Sequence, residues 1–244
     1  MTQSRKNKRP VVSGTDRVMV QAAGEPLPDA AHTLAQRLTA EVVGTFLLVT
    51  AALLAPSGIT FALVGLTLAV MVVAIGKVSG AQLNPAVTTA LVAARQFPLM
   101  EGLMYIGAQV VGALISMLLM TSLLKSSGTP AGALTPHSGY FAAELLGTFI
   151  LAFTVVRVVV SKASDAAAAL AIGLALAIGI AVAGRFSGGV LNPAIALSLM
   201  AGGLLSAGTG VLYLLAPLLG GAVAGLLARF LSSPTELKVP LGRQ

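Results

Sequence analysis

The chain has 244 residues, of which 56% are hydrophobic and only 9% charged, a balance that excludes an ordinary soluble core and points to a membrane protein. The net charge of +7 does not imply a nucleic-acid partner, because Lys and Arg concentrate in the N-terminal segment and at the ends of apolar stretches. With no cysteine, disulfides, thiolate nucleophiles and Cys-ligated metals are excluded, and the two histidines, His32 and His137, fall in polar segments and read as solvated loop residues.

Residues 1–37 are polar, carry Arg5, Lys6, Lys8 and Arg9, and lack the apolar run of a signal peptide, so they read as a disordered basic cytoplasmic tail. Six stretches then reach the roughly 20 apolar residues that a bilayer crossing needs. They run Leu38–Ala55, Phe61–Val78, Met100–Leu124, Tyr140–Val160, Ala166–Gly184 and Thr209–Leu231. Residues 233–244 read as a second cytoplasmic tail. If the N-terminus is cytoplasmic, 13 of the Lys and Arg residues lie inside and only Lys125 and Arg185 outside, so the charge bias puts both termini in the cytoplasm of a multi-pass cell-membrane protein.

Between the second and third spans lies Ser79-Gly80-Ala81-Gln82-Leu83-Asn84-Pro85-Ala86, and between the fifth and sixth lies Ser187-Gly188-Gly189-Val190-Leu191-Asn192-Pro193-Ala194. Each is a Gly-containing loop running into an apolar segment too short to cross. Asn is a good N-cap, and Pro at the first helical position lacks an N–H that would have no partner there, so each copy reads as a loop capped into a half-helix. The two asparagines stand 108 positions apart, and Ala40-Glu41-Val42-Val43-Gly44-Thr45-Phe46 returns as Ala143-Glu144-Leu145-Leu146-Gly147-Thr148-Phe149. The chain is therefore two copies of one unit, 38–124 and 139–232. Three spans per copy is an odd number, so the second copy enters from the opposite face. The fold expected is an all-α membrane protein of six transmembrane helices plus two re-entrant half-helices, related by an inverted internal repeat.

Non-helical backbone at membrane depth survives only where protein buries it or it lines a wet cavity. Two such loops meeting at mid-membrane imply a pore or binding site. Both half-helices aim their positive ends at it, with Asn84 and Asn192 presenting amide donors, which opposes cations and hydronium. Glu41 and Glu144 lie inside spans, where charge is expensive. Singly each would suggest a proton relay; as a duplicated pair they read as acceptors that tie down loop N–H groups.

On Glu41, Glu144, Gln109 with Gly112, and the two loops through Asn84-Pro85-Ala86 and Asn192-Pro193-Ala194, the chain resembles the major intrinsic protein (aquaporin) family over residues 38–232. The resemblance implies one pore per protomer and a homotetramer in the lipid bilayer, passing water and small neutral solutes with no cofactor. The family usually places Arg directly after the second Asn-Pro-Ala; here that residue is Ile195. Matching the motifs puts the rest of the outer constriction at Val64, Ile180 and Gly189, so the expected filter has no charge, side-chain donor or aromatic ring. Ala196 replaces the Asp usual in the glycerol-facilitator branch, and Gln82 stands where many relatives have His. Arg185 is either a helix-end cation or a replacement charge at the outer mouth. A passive channel is the first reading. A secondary transporter and a non-conducting member of the same fold are the alternatives; an enzyme is not expected, for want of a nucleophile–base pair or metal cluster.

Overall fold

The computed structural model describes residues 32–56, 58–126 and 133–238; of the tails read at 1–37 and 233–244, residues 1–31 and 239–244 lie outside them. Among the described residues there are eight α-helices and no strand. In chain order they are α1 (Leu34–Leu54), α2 (Thr60–Ser79), α3 (Pro85–Ala93), α4 (Leu99–Ser126), α5 (Tyr140–Val160), α6 (Asp165–Ser187), α7 (Pro193–Ala201) and α8 (Ala207–Phe230). Six are long and apolar enough to cross a membrane. The helices α3 and α7 have 9 residues each. At 1.5 Å per residue that is about half of a hydrocarbon core roughly 30 Å thick.

Helix ends follow local chemistry. The helix α1 starts four residues before the expected Leu38 because Thr33 and Gln36 form a capping box. Thr33 Oγ1 accepts from Gln36 N at 3.2 Å and Gln36 Oε1 accepts from Thr33 N at 2.8 Å. The added turn lets Arg37 reach Glu101 on α4 at 2.8 Å. The helices α2 and α6 both stop at a left-handed glycine, Gly80 and Gly188, and α6 runs three residues past the expected Gly184 to reach its own.

Packing repeats the internal symmetry. The helix α1 packs on α2 and α4 as α5 packs on α6 and α8. Across the repeats α2 packs on α6, and each half-helix packs on the last span of the other repeat, α3 on α8 and α7 on α4. The two copies are thus interlocked. At the α2–α6 crossing, a Cβ on Gly65 would stand 2.6 Å from Gly173 O, and one on Gly173 would stand 2.7 Å from Gly65 O. Only glycine on both sides allows this approach. Large apolar side chains such as Leu66, Val70 and Val73 of α2 point outward and exposed, the inverse of a soluble protein and the arrangement that lipid requires.

Past α8 a single 3₁₀ turn, Glu236–Lys238, folds back on the helix ends. Arg157 on α5 donates to Ser232 Oγ at 2.6 Å and to Glu236 at 3.2 Å. Donation from the Ser233 backbone N–H and hydroxyl, with the Arg157 charge adding to it, holds the Glu236 carboxyl below its usual range.

Candidate pore site

The two loops are built in parallel. Leu83 and Leu191, each directly before the asparagine, both have φ of 50°. This left-handed conformation costs a β-carbon-bearing residue roughly 1–2 kcal/mol. The carboxylates hold it in place. Glu41 Oε1 accepts from Ser79 Oγ at 2.7 Å and from Gln82 N at 3.0 Å, and Oε2 accepts from Leu83 N and Gln109 Nε2, both at 2.8 Å. Glu144 accepts from Val190 N at 2.8 Å and Leu191 N at 2.6 Å. Both side chains are fully buried, and every bond made to them is accepted, the pattern of a carboxylate serving as an anchor for backbone donors.

The anchors are unequal for a sequence reason. Gln109, which serves Glu41 and also donates to Thr88 Oγ1 at 3.0 Å, is replaced 108 positions on by Pro217, which has no donor. A second pair of supports is symmetric. Tyr105 OH donates to Ser79 O at 3.0 Å and Tyr213 OH donates to Ser187 O at 2.7 Å, tying down the last carbonyls before each loop. These tyrosines are not singled out in the sequence reading, although their own 108-residue spacing marks them as a repeated pair.

The loops meet through the asparagines. Asn84 Oδ1 caps α3 by accepting from Ala86 N at 2.8 Å, and Asn192 Oδ1 caps α7 by accepting from Ala194 N at 3.0 Å. Their amide groups cross over. Asn84 Nδ2 donates to Leu191 O at 2.9 Å, and Asn192 Nδ2 donates to Leu83 O at 3.0 Å. Each loop therefore clips the other, and the positive ends of both half-helices come together. The cross-bond takes one amide hydrogen from each asparagine, so each keeps a single free donor rather than the two of an unengaged amide.

A cavity of about 340 Å³ runs past this junction. Its wall includes Asn84 and Asn192, all four expected constriction residues Val64, Ile180, Gly189 and Ile195, and Gln82. None of the described residues that line it is charged, and most are Leu, Val, Ile or Met. Gly189 has φ of 69°, and a Cβ there would meet Ile180 O at 2.9 Å, so the wall at that point is bare backbone. Leu134, from the connection before α5, covers Gly188 and is pinned by donation from its N–H to Leu204 O at 2.8 Å. Pro85, Ala86, Pro193 and Ala194 form the buried first turns of α3 and α7. Arg185 lies exposed in the last turn of α6, outside the cavity wall.

The chain is similar to known proteins in sequence and in fold. The sequence model of the major intrinsic protein family matches residues 30–227. The chain is 31% identical over 186 residues to aquaporin AqpM of Methanothermobacter marburgensis, covering 69% of this chain and 74% of that one. It is 35% identical over 214 residues to glycerol uptake facilitator protein-like 6 of Lactiplantibacillus plantarum, covering 81% and 99%. The solved aquaglyceroporin of Plasmodium falciparum superposes with a TM-score of 0.70 at 25% identity, over 84% of this chain and 99% of that one.

Proposed function

The chain belongs to the major intrinsic protein family, whose members are membrane channels for water and small solutes, and we propose that it is a passive channel whose outer constriction is apolar and lacks an arginine. Asn84 and Asn192 orient the permeant at the junction of the half-helices, while Val64, Ile180, Gly189 and Ile195 set its size and polarity limits. Pro85 and Ala86, with Pro193 and Ala194, hold each asparagine at its helix start, and Glu41 and Glu144 hold the loops. No cofactor or covalent chemistry takes part. The protein works as a homotetramer, each protomer carrying a pore, with both termini cytoplasmic.

The observation that supports this reading is that the four constriction residues and both asparagines line one continuous, uncharged cavity. Without a cation at the narrowing, exclusion of positive charge rests on the two helix N-termini, each equivalent to about half an elementary charge. An apolar narrowing also strips water from a polar solute without replacing its hydrogen bonds. Replacing a long arginine with Ile195 widens the passage, so neutral molecules larger than water enter.

Purified protein in liposomes, challenged osmotically with impermeant sugar and then with glycerol, urea and an ammonia source, tests the proposal by light scattering. Water flux with entry of at least one neutral solute is expected, and Ile195→Arg lowers that entry. Water flux with every solute excluded refutes the widened constriction. Uptake that saturates and follows an ion gradient identifies a transporter, and absence of all flux identifies a non-conducting relative.

A further inference from the structure

Leu134 is the one residue of the cavity wall, among those described, that comes from the connection between the two repeats. Its side chain is half-buried and packs in the same apolar cluster as Ile195, Val190 and Leu204. Its Cδ1 lies 2.7 Å from where a Cβ on Gly188 would stand, so the leucine rests on bare backbone at the start of the second loop. The first loop has no such cover: among the described residues, a Cβ on Gly80 would meet only Gln82 Cγ, at 4.0 Å.

The connection is seated rather than free. Leu134 N–H donates to Leu204 O at 2.8 Å, and His137 N–H donates to Phe186 O at 2.8 Å. The first bond ties it to the turn after α7 and the second to the end of α6, so it bridges both flanks of the second loop. Pro136 lies between the two bonds, where it fixes its own φ and keeps Thr135 out of the helical region. The pose of Leu134 is therefore set by backbone. Ile195 brings neither length nor charge to this wall. Leu134 brings bulk without a polar atom, so a solute passing it sheds water and gains no side-chain hydrogen bond in return.

We infer that Leu134 is a further specificity-determining residue, a fifth member of the constriction beside Val64, Ile180, Gly189 and Ile195. It takes up room that Ile195 leaves, and it limits the size of the neutral molecules that enter.

The assignment rests on the channel reading, and the experiment separates the two. Wild type, Leu134→Ala, Leu134→Phe and Thr135→Ala are reconstituted in liposomes. Water permeability is measured by stopped-flow light scattering, with glycerol and the longer erythritol as size probes. Leu134→Ala is expected to raise the glycerol-to-water ratio about fivefold, the factor given by a barrier roughly 1 kcal/mol lower, and the erythritol-to-water ratio by more. Leu134→Phe is expected to lower both. Thr135→Ala, at an exposed neighbour outside the cavity wall, is expected to leave them unchanged. Water flux with unchanged ratios in Leu134→Ala overturns the role of Leu134 and leaves the channel standing. So does an equal shift in Thr135→Ala, which traces the effect to the connection at large. If wild type excludes both probes, their entry through Leu134→Ala upholds the assignment and their exclusion overturns it. No flux above empty liposomes in any of the four proteins overturns both. If Leu134→Ala fails to insert, Leu134→Phe decides: lowered ratios uphold the role and unchanged ratios overturn it.

Discussion

Substituting alanine for each buried carboxylate in turn has unequal consequences that the geometry orders in advance. Glu41→Ala strands four donors: the N–H groups of Gln82 and Leu83, the Ser79 hydroxyl and the Gln109 amide. Glu144→Ala strands two, the N–H groups of Val190 and Leu191. A buried donor left unpaired costs roughly 1–3 kcal/mol, and relief of the carboxylate's own burial offsets part of the sum. Each loop also keeps a left-handed leucine that is no longer held. The net expectation is a loss of about 3–5 kcal/mol for Glu41→Ala and about 1–2 kcal/mol for Glu144→Ala.

Thermal unfolding of detergent-solubilised protein, followed by loss of monodisperse material on gel filtration, checks the order. For a chain of this size each kcal/mol moves the midpoint by roughly 2–4 °C, so Glu41→Ala is expected on the order of 10 °C below wild type and Glu144→Ala well above that. Equal midpoints, or a lower one for Glu144→Ala, would refute the idea that these carboxylates act by satisfying loop donors in proportion to their bonds.

Gly65→Leu drives a side chain into the Gly173 carbonyl and separates α2 from α6; the expected result is loss of folded protein on gel filtration, with Leu66→Ala on the exposed face tolerated. Wild type, having no cysteine, is expected to keep its water flux in mercury salts, whereas Ile195→Cys, on the cavity wall, becomes blocked and recovers with excess thiol. Because the folded Glu236 carboxyl titrates below its unfolded value, its stabilisation of the C-terminal turn is full above the unfolded pKa and disappears as pH falls through the folded one. A spin label at Pro234→Cys is therefore expected to stay restrained at pH 7 and become mobile in acid below the usual carboxylate range, and mobility already at pH 7 would refute the coupling.

Much of this architecture is written locally. A run of 20 apolar residues declares a span, and Asn-Pro ahead of an apolar segment declares a capped helix start, because both effects act within a few residues. Helix ends were less legible where side chains compete with hydropathy: the capping box at Thr33 and Gln36 extends α1 through polar residues that an apolar count leaves out. The inverted repeat implied that the loops meet, but the atoms that join them were not legible, since Asn84 donates to Leu191, 107 residues away, and a backbone carbonyl carries no sequence signature. The interlocking of α3 with α8 and of α7 with α4 escapes notice for the same reason. Tyr105 and Tyr213 were hidden inside apolar runs, where an aromatic ring reads as core until the loop carbonyl above its hydroxyl is known.

The two halves keep a common backbone and divide the chemistry between them. The left-handed leucines, the asparagine caps and the tyrosine ties are alike in both loops. Their differences lie in a few side chains. At positions 108 apart, Gln82 stands in the first loop where Val190 does in the second, Ala81 stands where Gly189 does, and Gln109 braces a carboxylate where Pro217 cannot. The first loop is both the more firmly braced and the more polar; the second is less braced and apolar. Gln109 donates to Glu41 and to Thr88, so Gln109→Leu is expected to lower the thermal midpoint by loosening the first loop, and an unchanged midpoint would overturn that bracing role.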